Sequence, residues 1–309
     1  MENISLKYAK ENGSVSFKVQ ELIKFPDGDF QDEVKKRIYL NAKYCHRNQH
    51  GIMKVSQYSF NPKCGFTRYL KRQGLEVCKV GGNFDYAETG REDTRIWYMN
   101  FASDEPFNEW DSPFYGLEES QVMLMPLLYK VNSFLHVHPE SEITPYTVSC
   151  KDGFTEPSPL LFESVPQWMS INEDGSPKEA VFKEKWNNIV SMKAPNHAAG
   201  RYSEGVLIFI LGTLMAGFGG IQRQGKKCKK PFAEVHTGNW GCGNFGNNKE
   251  LMYLCQMLAA DLAGIKKLYF HRIDEGAYDS ALKKFKSLIN ELSFAEIIAF
   301  LDVQEYVYN

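Results

Sequence analysis

The sequence predicts an α/β protein, a sheet with helices on its faces. Three observations point there. Strand-like and helix-like stretches alternate from residue 80 to the C-terminus. A glycine-rich turn, "HTGNWGCGNFG", stands between an apolar run and a helical pattern. The 309 residues, 43% of them hydrophobic, suffice to bury a full core as one large domain or two small ones. No internal repeat, low-complexity stretch or Pro/Gly/Ser linker divides the chain, so we expect one compact unit over 80–309 with an N-terminal accessory segment over 1–79 packed on it.

Taken in order, "SVSFKVQELI" reads as a strand and "DFQDEVKKRIYLNAKYC" as an amphipathic helix. "TRIWYMNFA" reads as a buried strand. "LEESQVMLMPLLYKVNSFL" has an apolar stripe and reads as one helix kinked at Pro126. The run "GVLIFILGTLMAGFGGI" is uncharged but glycine-rich and slightly short of the ~20 residues a membrane span needs, so a buried helix is expected. "FAEVH" is strand-like, and "NKELMYLCQMLAADLAG" is a helix capped by Gly264. "KKLYFHRI" is a strand, and "YDSALKKFKSLINELS" and "FAEIIAFLDVQEYV" are helices.

A net charge of −2 gives no electrostatic case for nucleic acid or a membrane as partner. Seven cysteines without a C-x-x-C pair argue against a disulfide framework and for a reducing compartment, cytoplasmic or nuclear. The N-terminal "MENISLKYAKENG" has no basic-then-apolar pattern, so no secretory leader is expected. His136 and His138 in "HVHPE" alternate on what reads as an extended segment with no third ligand nearby, so neither a metal nor a cofactor is expected.

Gly238, Gly241, Gly243 and Gly246 permit positive φ and close approach to a ligand, and the following helix offers free N–H groups and the positive end of its dipole. That combination suits a pyrophosphate. Gly241, Gly243 and Gly246 spell G-x-G-x-x-G, but a dinucleotide-binding unit needs an acid about 20 residues on. Here the first acid beyond the next strand is Asp274, and the flanking Thr237, Asn239, Trp240 and Phe245 are foreign to such a turn.

"TGNWGCGNFG" closely resembles the "TGNWGCGAFG" loop of poly(ADP-ribose) glycohydrolases, and "NNKELMYLCQMLAADLAGIKKLYF" fits that family's next helix and strand. The resemblance implies a macrodomain, a mixed sheet between helices that binds ADP-ribose in a cleft at one end. It would place Gly241, Cys242, Gly243, Asn244 and Phe245 against the diphosphate and neighbouring ribose, with Asn239 supporting the turn. Upstream, "GNFD" resembles the family's adenine-reading "GTIE", so Asp85 would accept the adenine amino group and Phe84 would pack on the ring. "NFAS" resembles its "DFAN", placing Phe101, Ala102 and Ser103 at the ligand, and Glu118, Glu119 and Ser120 match the opening of its catalytic helix. Departures are equally specific: Asn100 stands for the family's Asp, Ser103 for its Asn and Leu117 for its Gln, and the glycine triplet is missing.

Between Phe101 and Tyr129 lie six acids, Asp104, Glu105, Glu109, Asp111, Glu118 and Glu119, and no Lys or Arg. Crowded carboxylates beside a diphosphate repel it and one another; a cationic leaving group would offset this. The expected chemistry is hydrolysis at the anomeric carbon of the distal ribose by analogy with glycosidases. Asp104 and Asp111 would hold an arginine guanidinium while one of Glu118 and Glu119 polarises water. This resembles an effector-type branch that lacks the glycine triplet and removes ADP-ribose from arginine. The partners expected are an ADP-ribosylated protein as substrate and ADP-ribose as product. Two alternatives stay open, a poly(ADP-ribose) glycohydrolase and a reader that binds ADP-ribose without cutting it.

Overall fold

The structure, a computed structural model, describes residues 9–46, 50–60, 69–86, 91–102, 106–113, 115–139, 141, 143, 147–149, 155–167, 185–196 and 200–308. Strand β1 (Ala9–Lys18) runs into a one-turn helix α1 (Val19–Leu22), followed by α2 (Glu33–His46), β2 (Ile52–Phe60), β3 (Tyr69–Lys71), β4 (Glu76–Val80) and β5 (Thr94–Ala102). Helices α3 (Leu117–Leu124) and α4 (Leu127–Val137) precede β6 (Thr147–Ser149), β7 (Thr155–Pro157), β8 (Leu160–Pro166) and β9 (Trp186–Lys193). The rest alternates: α5 (Glu204–Lys227), β10 (Phe232–Thr237), α6 (Lys249–Ala263), β11 (Lys267–His271), α7 (Glu275–Ser287), β12 (Glu291–Ser293) and α8 (Phe294–Asp302).

An eight-stranded mixed sheet in the order β1-β2-β8-β9-β5-β10-β11-β4 is the framework. From β9 to β4 all neighbours are parallel, and β1, β2 and β8 form an antiparallel arm. The segment 1–79 expected as an accessory piece contributes β1 and β2 to this arm and most of β4 to the opposite edge. Strand alternation divides the core between the faces. Trp97 and Met99 join the cluster with Leu214, Leu254 and Ile297 from α5, α6 and α8, whereas Tyr98 and Ala102 join Leu22, Tyr39, Val122 and Leu128 from α1 to α4.

Helix α5 is long and apolar enough to cross a membrane, yet most of its apolar stretch is buried within the protein. Its glycines explain the close packing: a Cβ on Gly217 would lie 2.5 Å from Met192 Sδ, and one on Gly220 2.7 Å from the Tyr58 ring. Four expectations need correction: "VQEL" ends the first strand-like stretch as helix α1, and "ELS" ends "YDSALKKFKSLINELS" as strand β12. Pro126 separates α3 from α4 rather than kinking one helix, because it lacks an N–H and its ring crowds the preceding turn. His136 is in the last turn of α4 and His138 is its C-cap, so "HVHPE" starts helical rather than extended, and the His138 ring packs 4.8 Å from that of Phe134.

Candidate active site

A cavity of about 720 Å³ opens where β4, β5, β10 and β11 end, at the carboxyl edge of the parallel strands. Open α/β sheets bind ligands at this edge, because loops leave it on the two sides of the strands. Asn83, Phe84 and Tyr86 come from the loop after β4, and Met99, Asn100 and Phe101 from the end of β5. Thr237, Gly238 and Asn239 come from the glycine turn, and His271 and Arg272 from the end of β11. Tyr115, Leu117, Ser120, Gln121, Met123 and Leu124 form the wall opposite, on α3 and its approach.

The glycine turn is fixed from several sides. Gly241 and Gly246 have φ of 70° and 61°, conformations that disfavour a side chain. A Cβ on Gly241 would also come within 2.5 Å of Ala194 Cβ. Buried Trp240 donates from Nε1 to the Met192 carbonyl at 2.9 Å. Asn247 donates to the carbonyls of Pro195 and Gly241 at 2.8 and 2.9 Å and accepts from Tyr202 Oη at 3.0 Å. Gln256 of α6 donates to the Gly238 carbonyl at 3.3 Å and accepts from Thr237 Oγ1. Asn248 then caps α6, accepting from Leu251 N at 3.1 Å.

The expected ligand residues divide into two groups. Phe84, Phe101 and Asn239 line the cavity. Asn239 braces the turn, donating to the Arg272 carbonyl at 2.7 Å and accepting from Tyr253 Oη. Gly241, Cys242, Gly243, Asn244 and Phe245 continue the turn beyond the lining residues; Gly243 and Asn244 are exposed, Cys242 and Phe245 half-buried. Burial pushes the Cys242 thiol up to about 12, so it stays protonated and is no nucleophile at neutral pH. Ala102 is buried at the end of β5, and Asp85 adjoins the lining residues Phe84 and Tyr86. Ser103 and Asp104 lie outside the described residues.

The expected catalytic carboxylates hold backbone. Glu119 Oε2 accepts the Gly116 N–H at 2.8 Å, the half of a capping box that a glycine N-cap allows, and Glu118 Oε1 accepts the Phe107 N–H at 3.1 Å. Both are buried, and neither is among the lining residues, although Leu117, Ser120 and Gln121 of the same helix are. Asp111 is placed away from the lining residues: its carboxylate accepts from Tyr129 Oη at 3.3 Å, and its carbonyl from Gln31 N at 2.9 Å. The structure therefore does not bring Asp111 to the cavity wall.

Several lining residues are not among the expected ligand residues. Gln121 donates from Nε2 to Tyr86 Oη at 3.2 Å, and Asn100 Oδ1 accepts from Ser191 Oγ at 2.5 Å. Their remaining ends, Gln121 Oε1 and Asn100 Nδ2, are buried without a partner among the described residues. Each costs about 1–3 kcal/mol if left so, which a polar ligand would recover. Beside Phe84, His236 Nδ1 and His271 Nε2 are 2.9 Å apart. Burial, then the neighbouring His271, lowers His236 to about 4; burial also lowers His271.

This arrangement defines an α/β protein of macrodomain fold, with a polar-floored cleft at the carboxyl edge of its sheet. Residues 162–279 match the family model of the poly(ADP-ribose) glycohydrolase catalytic domain, macro domain fold. No curated protein sequence matches it. The poly(ADP-ribose) glycohydrolase of Thermomonospora curvata bound to the inhibitor ADP-HPD is similar in structure, with a TM-score of 0.51, 15% identity, and coverage of 82% of this chain and 100% of that one. The enzyme from Deinococcus radiodurans in complex with ADP-ribose superposes with a TM-score of 0.44 at 14% identity, covering 88% of this chain and 95% of that one.

Proposed function

We propose that this protein is a glycosidase-type hydrolase that removes ADP-ribose from modified proteins, with mono-ADP-ribose on arginine as its substrate. The observation that carries the reading is the meeting of two walls at one cavity: the braced glycine turn, and the α3 wall whose first turn holds Glu118 and Glu119. Unpartnered Asn100 Nδ2 and Gln121 Oε1 support a polar, hydroxyl-rich ligand there. The family match and the ADP-HPD complex of a similar enzyme support ADP-ribose as that ligand.

In the reaction, a carboxylate at the start of α3 takes a proton from water as the water oxygen bonds to the anomeric carbon of the distal ribose. The C–N bond breaks, and its electron pair leaves with the guanidine nitrogen. A protonated guanidinium needs no separate acid to depart. Arginine specificity rests on the acidic segment 104–119 and the missing glycine triplet. Asp104 is the residue assigned to the guanidinium, since Asp111 is turned to Tyr129.

A second reading has its own support: both glutamates already hold backbone N–H groups, as they would in a reader that binds without cutting. Release of ADP-ribose from arginine-linked, serine- or glutamate-linked and polymeric substrates in parallel separates the readings. Turnover of the arginine substrate alone is the expected outcome. Turnover of polymer would assign a poly(ADP-ribose) glycohydrolase, and tight ADP-ribose binding without any turnover a reader.

A further inference from the structure

Arg272 differs from the lysines near it. Lys79 lies 2.5 Å from Glu275 and 2.8 Å from Asp279, and Lys249 lies 3.3 Å from Asp274. Among the described residues, the Arg272 guanidinium meets only a neutral partner, with Nη1 donating to Asn83 Oδ1 at 3.0 Å. It is also the only formally charged side chain among the described residues that line the cavity. A guanidinium has five donors in a planar fork that matches phosphate oxygens. One held by a single neutral amide has donors to spare.

Its backbone is fixed at that wall. Arg272 has φ of 50°, the left-handed region, where a non-glycine residue is strained by about 1–3 kcal/mol. The Asn239 side chain holds its carbonyl at 2.7 Å. Gly238 packs so closely on the preceding residue that a Cβ would sit 2.8 Å from the His271 carbonyl. The end of β11 and the glycine turn are thus locked together, and the strained residue they lock carries the cavity's cation.

We propose that Arg272 is the anion-recognising residue of this cavity, pairing its guanidinium with the diphosphate of the ligand while Asn83 orients it. The inference rests on the ADP-ribose reading and adds to it a residue that neutralises the ligand where the glycine turn supplies only backbone dipoles. The test is calorimetric titration of ADP-ribose and of uncharged adenosine into wild type, Arg272→Ala and Arg272→Lys, with thermal melting of each as a check on folding. Loss of charge-assisted hydrogen bonds predicts ADP-ribose affinity about 10–100-fold weaker in Arg272→Ala, partly kept in Arg272→Lys, and adenosine affinity changed by less than about twofold. Equal ADP-ribose affinity in wild type and Arg272→Ala overturns the inference. So does an equal loss for adenosine, which would mean that the guanidinium acts on the base or that the wall has collapsed. Failure of wild type to bind ADP-ribose at all overturns the underlying reading, and this inference with it.

Discussion

The glycine turn after β10 and the α3 wall, with Tyr115 before it, face the same cavity but are built by different means. The turn is held by bonds from distant parts of the chain: Trp240 to Met192, Asn247 to Pro195 and Tyr202, Asn239 to Arg272. Its geometry follows from packing and needs no ionised group. The opposite wall is held by its own carboxylates, Glu119 on Gly116 and Glu118 on Phe107, whose φ of 60° is strained for a phenylalanine. The two walls thus carry different risks. Steric substitution endangers the first, and loss of charge or hydrogen bonding the second.

Two glycines of one turn sharpen this contrast. Gly241→Val combines a φ of 70° with a Cβ 2.5 Å from Ala194, and should destabilise by about 2–4 kcal/mol in urea unfolding. Gly243→Ala, with nothing within 4 Å of its Cβ, should change stability by less than about 0.5 kcal/mol. Similar losses for both would mean that the turn is not held by packing.

The histidine pair beneath the cavity predicts an intermediate effect. His236 is lowered to about 4 in the folded protein, against an ordinary 6.5 in the unfolded chain. Below pH 6.5 the unfolded chain takes up the proton first. Stability is therefore whole above that pH and falls progressively as the pH drops toward 4, by roughly 1–3 kcal/mol. Urea midpoints between pH 7 and 4.5 measure this slope. His236→Asn should flatten it; an unchanged slope would assign the acid sensitivity to other groups.

Much of the binding half was legible in the sequence because its signals are local. "TRIWYMNFA" coincides with β5, Gly264 caps α6 in the left-handed conformation, and the glycine turn sits between β10 and α6 as expected. What escaped depends on partners remote in sequence. Arg272 and Asn83 are 189 residues apart, and Gln121 acquires its meaning from Tyr86. Strand β8, "LLFESVP", is buried along nearly its whole length, so it lacks the alternation that separates a strand from a helical run. The glutamates were legible as a pair at a helix start, but their backbone partners were not, since those depend on how the preceding loop folds back.

The most direct test of the division between the walls is a Glu118→Gln, Glu119→Gln double variant. It keeps an oxygen acceptor at each position and removes both charges. Binding of free ADP-ribose by calorimetry and release of ADP-ribose from an arginine-linked substrate are measured on the same preparation. The account predicts binding within about threefold of wild type and release slowed by at least about 100-fold, the scale of removing general acid–base carboxylates. Release at the wild-type rate, or loss of binding and release together, would contradict it.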